Sequence, residues 1–460
     1  MTLSGVKLQR GAVPMYQQLA SELALRIERG ALKAGDKLPT HRALAAQLGV
    51  TVGTVTRAYA EAERRGLVEA RVGAGTYVSD PDQPAWSFAD SDKHESTLGY
   101  NIPPEVNRAD ALQRALEELS RHKPSINQLM LYQSPDGLAQ HRETLAAWLA
   151  RHGVTLDAQR LLFTSGAQHG VQLALQIVCR PGDTVLCERL TYPGLLSLAR
   201  QQQLQVKPVE LDDQGMVPQA LAFACRQYRP RLVYLTPTLQ NPTTVTMGDK
   251  RRGQILEVCR HHRVLLVEDD VHGLLTSERP PPLVNMDAEQ VLHVGGLGKA
   301  LAPGLRLGYM QVPRALHSAF VGGIQNHSWM ISPLLTALAS ILIKQGSADA
   351  ILHEIRAQMV QRWQCAKELL PGARLRCHPE GFHGWLELPE LLPLSEFLMA
   401  ARSRGLDVKS AELFSPPGYP APAAIRIAVS APSNLAALRV ALGQLQEILG
   451  ESPPQDAFTL

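Results

Sequence analysis

Lys299 is the residue from which a chemistry can first be read. It sits in VGGLGKALAPGLRLGY, residues 294–309, a glycine-rich and otherwise apolar run, with Arg306 seven places later. An amine among apolar neighbours loses hydration, which lowers its pKa and makes it a better nucleophile toward an aldehyde. The arginine offers a rigid planar fork that suits a phosphate. Together they meet the minimum for a Schiff-base lysine with a phosphate clamp, the arrangement that pyridoxal phosphate requires. Taken alone, the stretch is more plainly a loop whose lysine and arginine reach solvent, because short motifs match by accident. A Walker A loop is excluded, since its first glycine would fall on His293 and Ala300 stands where Ser or Thr is needed.

Five apolar runs alternate with helical patterns between Val106 and about Gly450: RLLFTS (160–165), TVLCE (184–188), RLVYLT (231–236), VLLVED (264–269) and VLHVG (291–295). That alternation implies an α/β domain with a largely parallel sheet. Ligands of such sheets bind beyond the carboxyl ends of the strands, and the suggestive residues follow each run. SGAQHG (165–170) comes after the first, Tyr192 after the second, Gln240-Asn241-Pro242 after the third, Asp269 and Asp270 at the fourth, and Lys299 after the fifth. Each answers a separate need of one cofactor. Lys299 would form the Schiff base, and an ionised Asp269 would keep the pyridine nitrogen protonated so that the ring acts as an electron sink. Asn241 would donate to the ring oxygen O3′, and Tyr192 would stack on the ring. The backbone at Gly166, Ala167 and Gln168, opening a helix, would hold the phosphate with Arg306.

Ahead of this domain lies a smaller, basic one. Residues 1–79 hold eleven Lys and Arg against six Asp and Glu, a balance of +5, and the remainder carries −2. The asymmetry is compatible with nucleic-acid binding. Periodicity places an amphipathic helix over Pro14–Glu28, a second from Pro39-Thr40 to Gly49, and a third capped by Thr51 and running to about Arg65. Two short helices around a tight glycine turn are a helix-turn-helix, and LVEA and GTYVS around RVGAG read as a hairpin. On a helical wheel Val55, Ala58, Tyr59 and Ala62 share the core side, leaving Gly53, Thr54, Thr56 and Arg57 for a major groove. Arg42 can meet a phosphate at a helix start, and Arg71 and Gly75 flank the hairpin tip. Arg42, Thr51, Thr54, Thr56, Arg57, Arg71 and Gly75 are therefore the candidate contacts to double-stranded DNA.

LPTHRALAAQLGV, TVGTVTRAY, RRGLV and RVGAGTYV resemble the winged helix-turn-helix of GntR-type regulators over residues 10–79. The series SGAQ, TYPG, QNPT, VEDD and GKALAPGLRLGY resembles the fold-type I, class I/II aminotransferases over about 340 residues. Joined, they resemble the MocR family of chimeric regulators. The resemblance implies a largely parallel central sheet with a smaller C-terminal α+β part, spanning 106–450. It also implies a homodimer, a pyridoxal 5′-phosphate cofactor, and an amino acid or amine effector sensed through a Schiff base on Lys299. By identity with the family pattern, Lys299, Asp269, Asn241, Tyr192 and Arg306 take the roles above, Gln168 belongs to the phosphate loop, and Arg426 in AIRIAVS grips an α-carboxylate. Tyr132 in LYQSPDGL matches the tyrosine that reaches the partner's phosphate. His272 stands where many relatives have a tyrosine on O3′. Gly296 and Gly298 replace serines common before the lysine, Ala167 replaces a hydroxyl residue, and Val52 an arginine of the DNA-binding helix. These departures favour a regulator whose transaminase activity is weak or vestigial over the alternative, a working aminotransferase with an accessory DNA-binding head.

The remaining features are bland. Residues 80–105, rich in Asp, Ser and Pro, read as a linker in which Trp86 and Phe88 could dock, and 451–460 as a mobile tail. The six cysteines lack zinc spacing and read as reduced thiols of a cytoplasmic protein. No apolar run reaches membrane-spanning length, no signal peptide is expected, and none of His141, His169, His261 and His262 has metal-ligand spacing.

Overall fold

The computed structural model describes residues 14–33, 35–65, 67–71, 75–78, 96–121 and 123–450. They fall into two compact units, one within residues 1–87 and the other within 88–460. Among the described residues, no single helix is long and apolar enough to cross a membrane.

The first unit contains helices Met15–Glu28, His41–Leu48 and Val52–Arg64, then an antiparallel pair Val68–Arg71 and Gly75–Val78. Its local signals act as their chemistry requires. The Thr40 hydroxyl accepts the Ala43 amide, the Thr51 hydroxyl accepts the Thr54 amide, and Gly49 ends the middle helix with φ 65°, a conformation a side chain disfavours. Leu19, Leu23, Leu44, Val55, Ala58, Tyr59, Ala62, Val68 and Val78 make one core. The Tyr59 hydroxyl donates to the Pro39 carbonyl, which satisfies its polar end within that core. The tip residues 72–74, the Gly66 stop and the Trp86–Phe88 stretch lie outside the described residues.

The second unit is built on a seven-stranded sheet. In space its strands run Leu161–Thr164, Gly308–Gln311, Val291–Gly296, Leu265–Asp269, Leu232–Leu235, Thr184–Glu188 and Gln205–Val209. Only Gly308–Gln311 is antiparallel to its neighbours; the other pairings are parallel. Helices cover both faces, so the central strands are buried throughout, which explains why they read as continuous apolar runs. Each fully buried Leu or Val contributes on the order of 1.5–3 kcal/mol.

A smaller antiparallel sheet, Arg374–Cys377, Gly384–Glu387, Ala424–Ile427 and Lys409–Ser410, follows near the C-terminus, with helices Ser347–Leu369, Leu394–Ser403 and Leu435–Gly450 around it. Residues 96–105, expected in the linker, differ from that expectation. Ser96–Thr97 pairs in parallel with Leu406–Asp407, Leu98 is fully buried, and its carbonyl accepts the Ala428 amide. A two-residue strand has no readable period, so composition alone assigned the segment to the linker. The expected mobile tail, 451–460, lies outside the described residues.

Candidate functional site

Asp269 ends its strand buried, while its neighbours Glu268 and Asp270 project to the opposite face. The Tyr234 hydroxyl donates to Asp269 at 2.6 Å and the Val271 amide at 3.2 Å. Burial pushes the Asp269 carboxyl above its ordinary value, against those two hydrogen bonds and the Lys299 charge. A cationic N–H would restore the ionised form. On the other face Glu268 accepts from His293, Leu283 and Val284, and Arg279 pairs with Asp270, which pins the strand end.

Lys299 lies on the short helix Leu297–Ala300 and donates to the Asn101 carbonyl at 2.6 Å, with its ammonium 5.7 Å from the centre of the Phe382 ring. Burial, and then the Arg426 charge, lowers its pKa to about 7, with Asp269 opposing. About half of the amine is therefore neutral at pH 7, the form that attacks a carbonyl. Arg426, buried on Ala424–Ile427, donates to Asn241 Oδ1 at 3.0 Å and to the Gly99 carbonyl at 2.5 Å, and lies over Phe414. Burial lowers it to about 10. Both acceptors on this guanidinium are neutral, where a carboxylate would be the stronger partner.

The helix Ala167–Val178 begins after Gly166 with no side-chain cap, leaving its first amides as an anion-binding terminus. Gly166 has φ 87°, and a Cβ there would sit 3.2 Å from an Arg306 nitrogen, so glycine lets the guanidinium lie beside the turn. Arg306, in a left-handed conformation, is exposed and makes no side-chain hydrogen bond or ion pair among the described residues. The Gln168 amide lies 3.5 Å from the Gly194 carbonyl, and its Oε1 is buried without a partner. Tyr192 packs against Gly194, near enough to Asp269, Arg426 and Arg306 for their charges to act on its hydroxyl, which burial raises. A carboxyl lacking a cation, a helix terminus beside a free arginine, and a low-pKa lysine form a donor set that fits pyridoxal phosphate.

The structure therefore brings together Gly166, Ala167, Gln168, Tyr192, Asn241, Asp269, His272, Lys299, Arg306 and Arg426 around the sheet's carboxyl ends. Tyr132 is apart from them: it is 80% exposed and its ring meets Trp329. Sequence reasoning missed Gly99, Asn101, Tyr234 and His383. Asn101 Nδ2 lies 3.1 Å from both His272 Nε2 and His383 Nδ1, and His383 Nε2 lies 3.0 Å from the Gln240 carbonyl. Their available signal was thin: Asn101 fell in a segment read as linker, and His383 stands just before the short strand Gly384–Glu387.

In the small unit Arg42, Thr51, Thr56 and Arg57 are exposed and Thr54 is half-buried. The Thr51 and Thr54 hydroxyls lie 2.9 Å apart, so both serve the helix cap, and Thr56 donates to the Val52 carbonyl. Gly75 is exposed at the start of its strand; Arg71 ends the preceding one, and its side chain lies outside the described residues.

The fold is that of a fold-type I pyridoxal-phosphate transferase. Residues 94–445 match the family model described as aminotransferase class I and II, and residues 15–78 match bacterial regulatory proteins, gntR family. The chain belongs to the class I and II aminotransferase family and carries a gntR-family domain ahead of it, which is the MocR arrangement. Pyridoxal phosphate is the cofactor that goes with this membership. Over 96% of each chain it is 29% identical to the HTH-type transcriptional regulator YdeF of Bacillus subtilis (strain 168). It is 27% identical to the HTH-type transcriptional regulator TauR of Rhodobacter capsulatus, over 88% of this chain and 91% of that one. A kynurenine aminotransferase structure from Pyrococcus horikoshii superposes with a TM-score of 0.71 at 23% identity, covering 78% of this chain and 92% of that one.

Proposed function

We propose that this chain is a cytoplasmic, homodimeric transcription regulator that binds double-stranded DNA through its small unit and senses an amino acid or amine through pyridoxal phosphate on Lys299. The observation that carries the reading is that Lys299 and Arg426 are both engaged by carbonyls of one segment, residues 99–101. That segment lies at the end of the chain joining the two units.

When bound, the cofactor supplies a carbonyl that condenses with amines. The protein's own residues do the rest. The amides at 166–168 and Arg306 would hold the phosphate, Asp269 would accept the ring N–H, and Asn241, Tyr192 and His272 would fix the ring. Arg426 would take the α-carboxylate of an amino acid, replacing the Gly99 carbonyl with a charged, bidentate partner. Tyr132 would serve the partner's phosphate. Freed from Arg426, the 98–101 segment would have fewer bonds to the rest of the large unit, so ligand binding would favour a second arrangement of the segment. A ligand shifts such an equilibrium only by its differential affinity for the two arrangements.

The rival reading, a working aminotransferase with a secondary head, is supported by the intact set of Lys299, Asp269 and Arg426. Turnover separates the two. The protein is mixed with pyridoxal phosphate, 2-oxoglutarate and a panel of amino acids, and keto-acid release is followed beside operator binding. Slow or absent turnover with amino-acid-dependent DNA affinity supports the regulator. Turnover at ordinary enzyme rates, about 1–10³ s⁻¹, with DNA affinity unaffected by every amino acid, overturns it.

A further inference from the structure

Asn101 sits between two buried imidazoles, and the hydrogen bonds around it leave one consistent placement of protons. Gln240 offers a carbonyl to His383 Nε2 at 3.0 Å. A carbonyl only accepts, so that nitrogen carries a hydrogen. Burial holds His383 neutral, with its pKa lowered to about 3; its Nδ1 therefore has a lone pair and needs a donor. The atom 3.1 Å from it is Asn101 Nδ2, which settles the orientation of that amide. The same nitrogen lies 3.1 Å from His272 Nε2, and its second hydrogen points there. His272 Nε2 must then accept, and the single hydrogen of a neutral His272 falls on Nδ1.

His272 is 2% exposed, and its Nδ1 is buried with no partner in the protein. A buried donor left unmade is costly. Its surroundings favour the neutral ring: burial first, then the charges of Lys299, His383 and Arg426, lower its pKa, against a weaker backbone interaction with Leu239 that raises it. Buried Asp269, also in the site, is engaged by Tyr234 and Val271. Held by no hydrogen bond of regular geometry, with Leu239 the only backbone acting on the ring, the Nδ1 hydrogen of His272 is available to an acceptor that arrives with whatever fills the site.

We propose that Asn101 is a positioning residue: it relays the polarity of the Gln240 carbonyl through His383 and fixes His272 as the Nδ1–H tautomer, a donor reserved for an oxygen of the bound cofactor. Asn101 performs this with its side chain while its own carbonyl accepts from Lys299 Nζ. One residue thus orients the reactive amine and sets the hydrogen-bonding sense of the ring beside it. The second half of the proposal rests on the cofactor reading; the tautomer half does not.

The test uses the full-length protein with ¹⁵N-labelled histidine and two-bond proton–nitrogen correlation spectra, with the signals assigned by loss in His272→Gln and His383→Gln. Without cofactor, between pH 6 and 8, His383 should be the Nε2–H tautomer and His272 the Nδ1–H tautomer. Finding His272 as Nε2–H in the unaltered protein overturns the proposal and requires no variant to fold. Asn101→Asp, which offers only acceptors, should turn His272 to Nε2–H, and Asn101→Leu should leave His272 a mixture of tautomers. An unmoved His272 signal in both folded variants also overturns it, since a residue that merely packed there would leave tautomers alone. On loading with pyridoxal phosphate, shown by a Lys299-dependent absorption band, the His272 Nδ1 proton should move downfield. A loaded protein with that proton unmoved removes the donor role. A protein that keeps the tautomers but never loads refutes the cofactor reading instead.

Discussion

The lowered pKa of Lys299 can be followed to a number. At pH 7.5 an amine titrating near 7 is about three-quarters neutral, whereas an ordinary lysine is about 0.1% neutral. The site therefore holds about 10³ times more reactive amine than an exposed lysine, a difference of at most about 5 kcal/mol between the two protonation states. Arg426 is the second cause of the lowering after burial, so Arg426→Gln should raise Lys299. A like charge nearby, in an effective dielectric of about 20, acts with about 1–2 kcal/mol, or roughly one pH unit. Reductive methylation of the cofactor-free protein with ¹³C-formaldehyde labels the amine, and the signal absent from Lys299→Ala identifies it. Its chemical shift should titrate near pH 7 in the parent and higher in Arg426→Gln. The linked stability has a definite sign. Between about pH 7 and 10.5 the unfolded chain binds more protons at this lysine than the folded one, so its contribution to stability rises with pH through that window and is least below it. A signal titrating at the ordinary lysine value, or a downward move in Arg426→Gln, would refute the argument.

Two further outcomes follow from the geometry. A Cβ on Gly308 would stand 2.7 Å from the Ala167 nitrogen and 2.5 Å from the Gly166 carbonyl carbon, whereas one on Gly304 would meet nothing within 4 Å. Gly308→Ala should cost about 1–3 kcal/mol by overpacking and weaken cofactor binding, while Gly304→Ala should do neither; thermal melts with and without pyridoxal phosphate check both. Arg57→Ala, on an exposed face, should leave folding and the absorption band intact. It should weaken operator binding by about 1–3 kcal/mol if the arginine reads a base, or reduce the salt slope by about one if it meets a phosphate; unchanged binding at every salt concentration counts against the assigned face.

Much of the fold could be read in the sequence because its elements carry strong local signals. Thr40, Thr51 and Gly49 bound the two helices as their capping chemistry dictates, and five buried strands announced themselves as apolar runs. The antiparallel insertion of Gly308–Gln311 was not legible, because GYMQ says nothing about direction. In the site, residues with charge at strand ends could be anticipated. Residues acting through their backbone could not: Gly99 contributes a carbonyl, and every residue has one. Asn101 needed His272 and His383 as neighbours, 171 and 282 positions away, before its amide acquired a meaning.

Gly99 also bears on how such a chain could arise and be divided. A Cβ at this glycine would fall 2.1 Å from an Asp407 oxygen, so only glycine lets the strap lie this close to the transferase's own late strand. The natural seam of the fused gene therefore lies before Ser96, and a fragment begun at residue 106 would discard part of the pocket wall along with the tether. On the function proposed above, whatever head is joined ahead of that seam would inherit a segment whose Gly99 carbonyl accepts from Arg426.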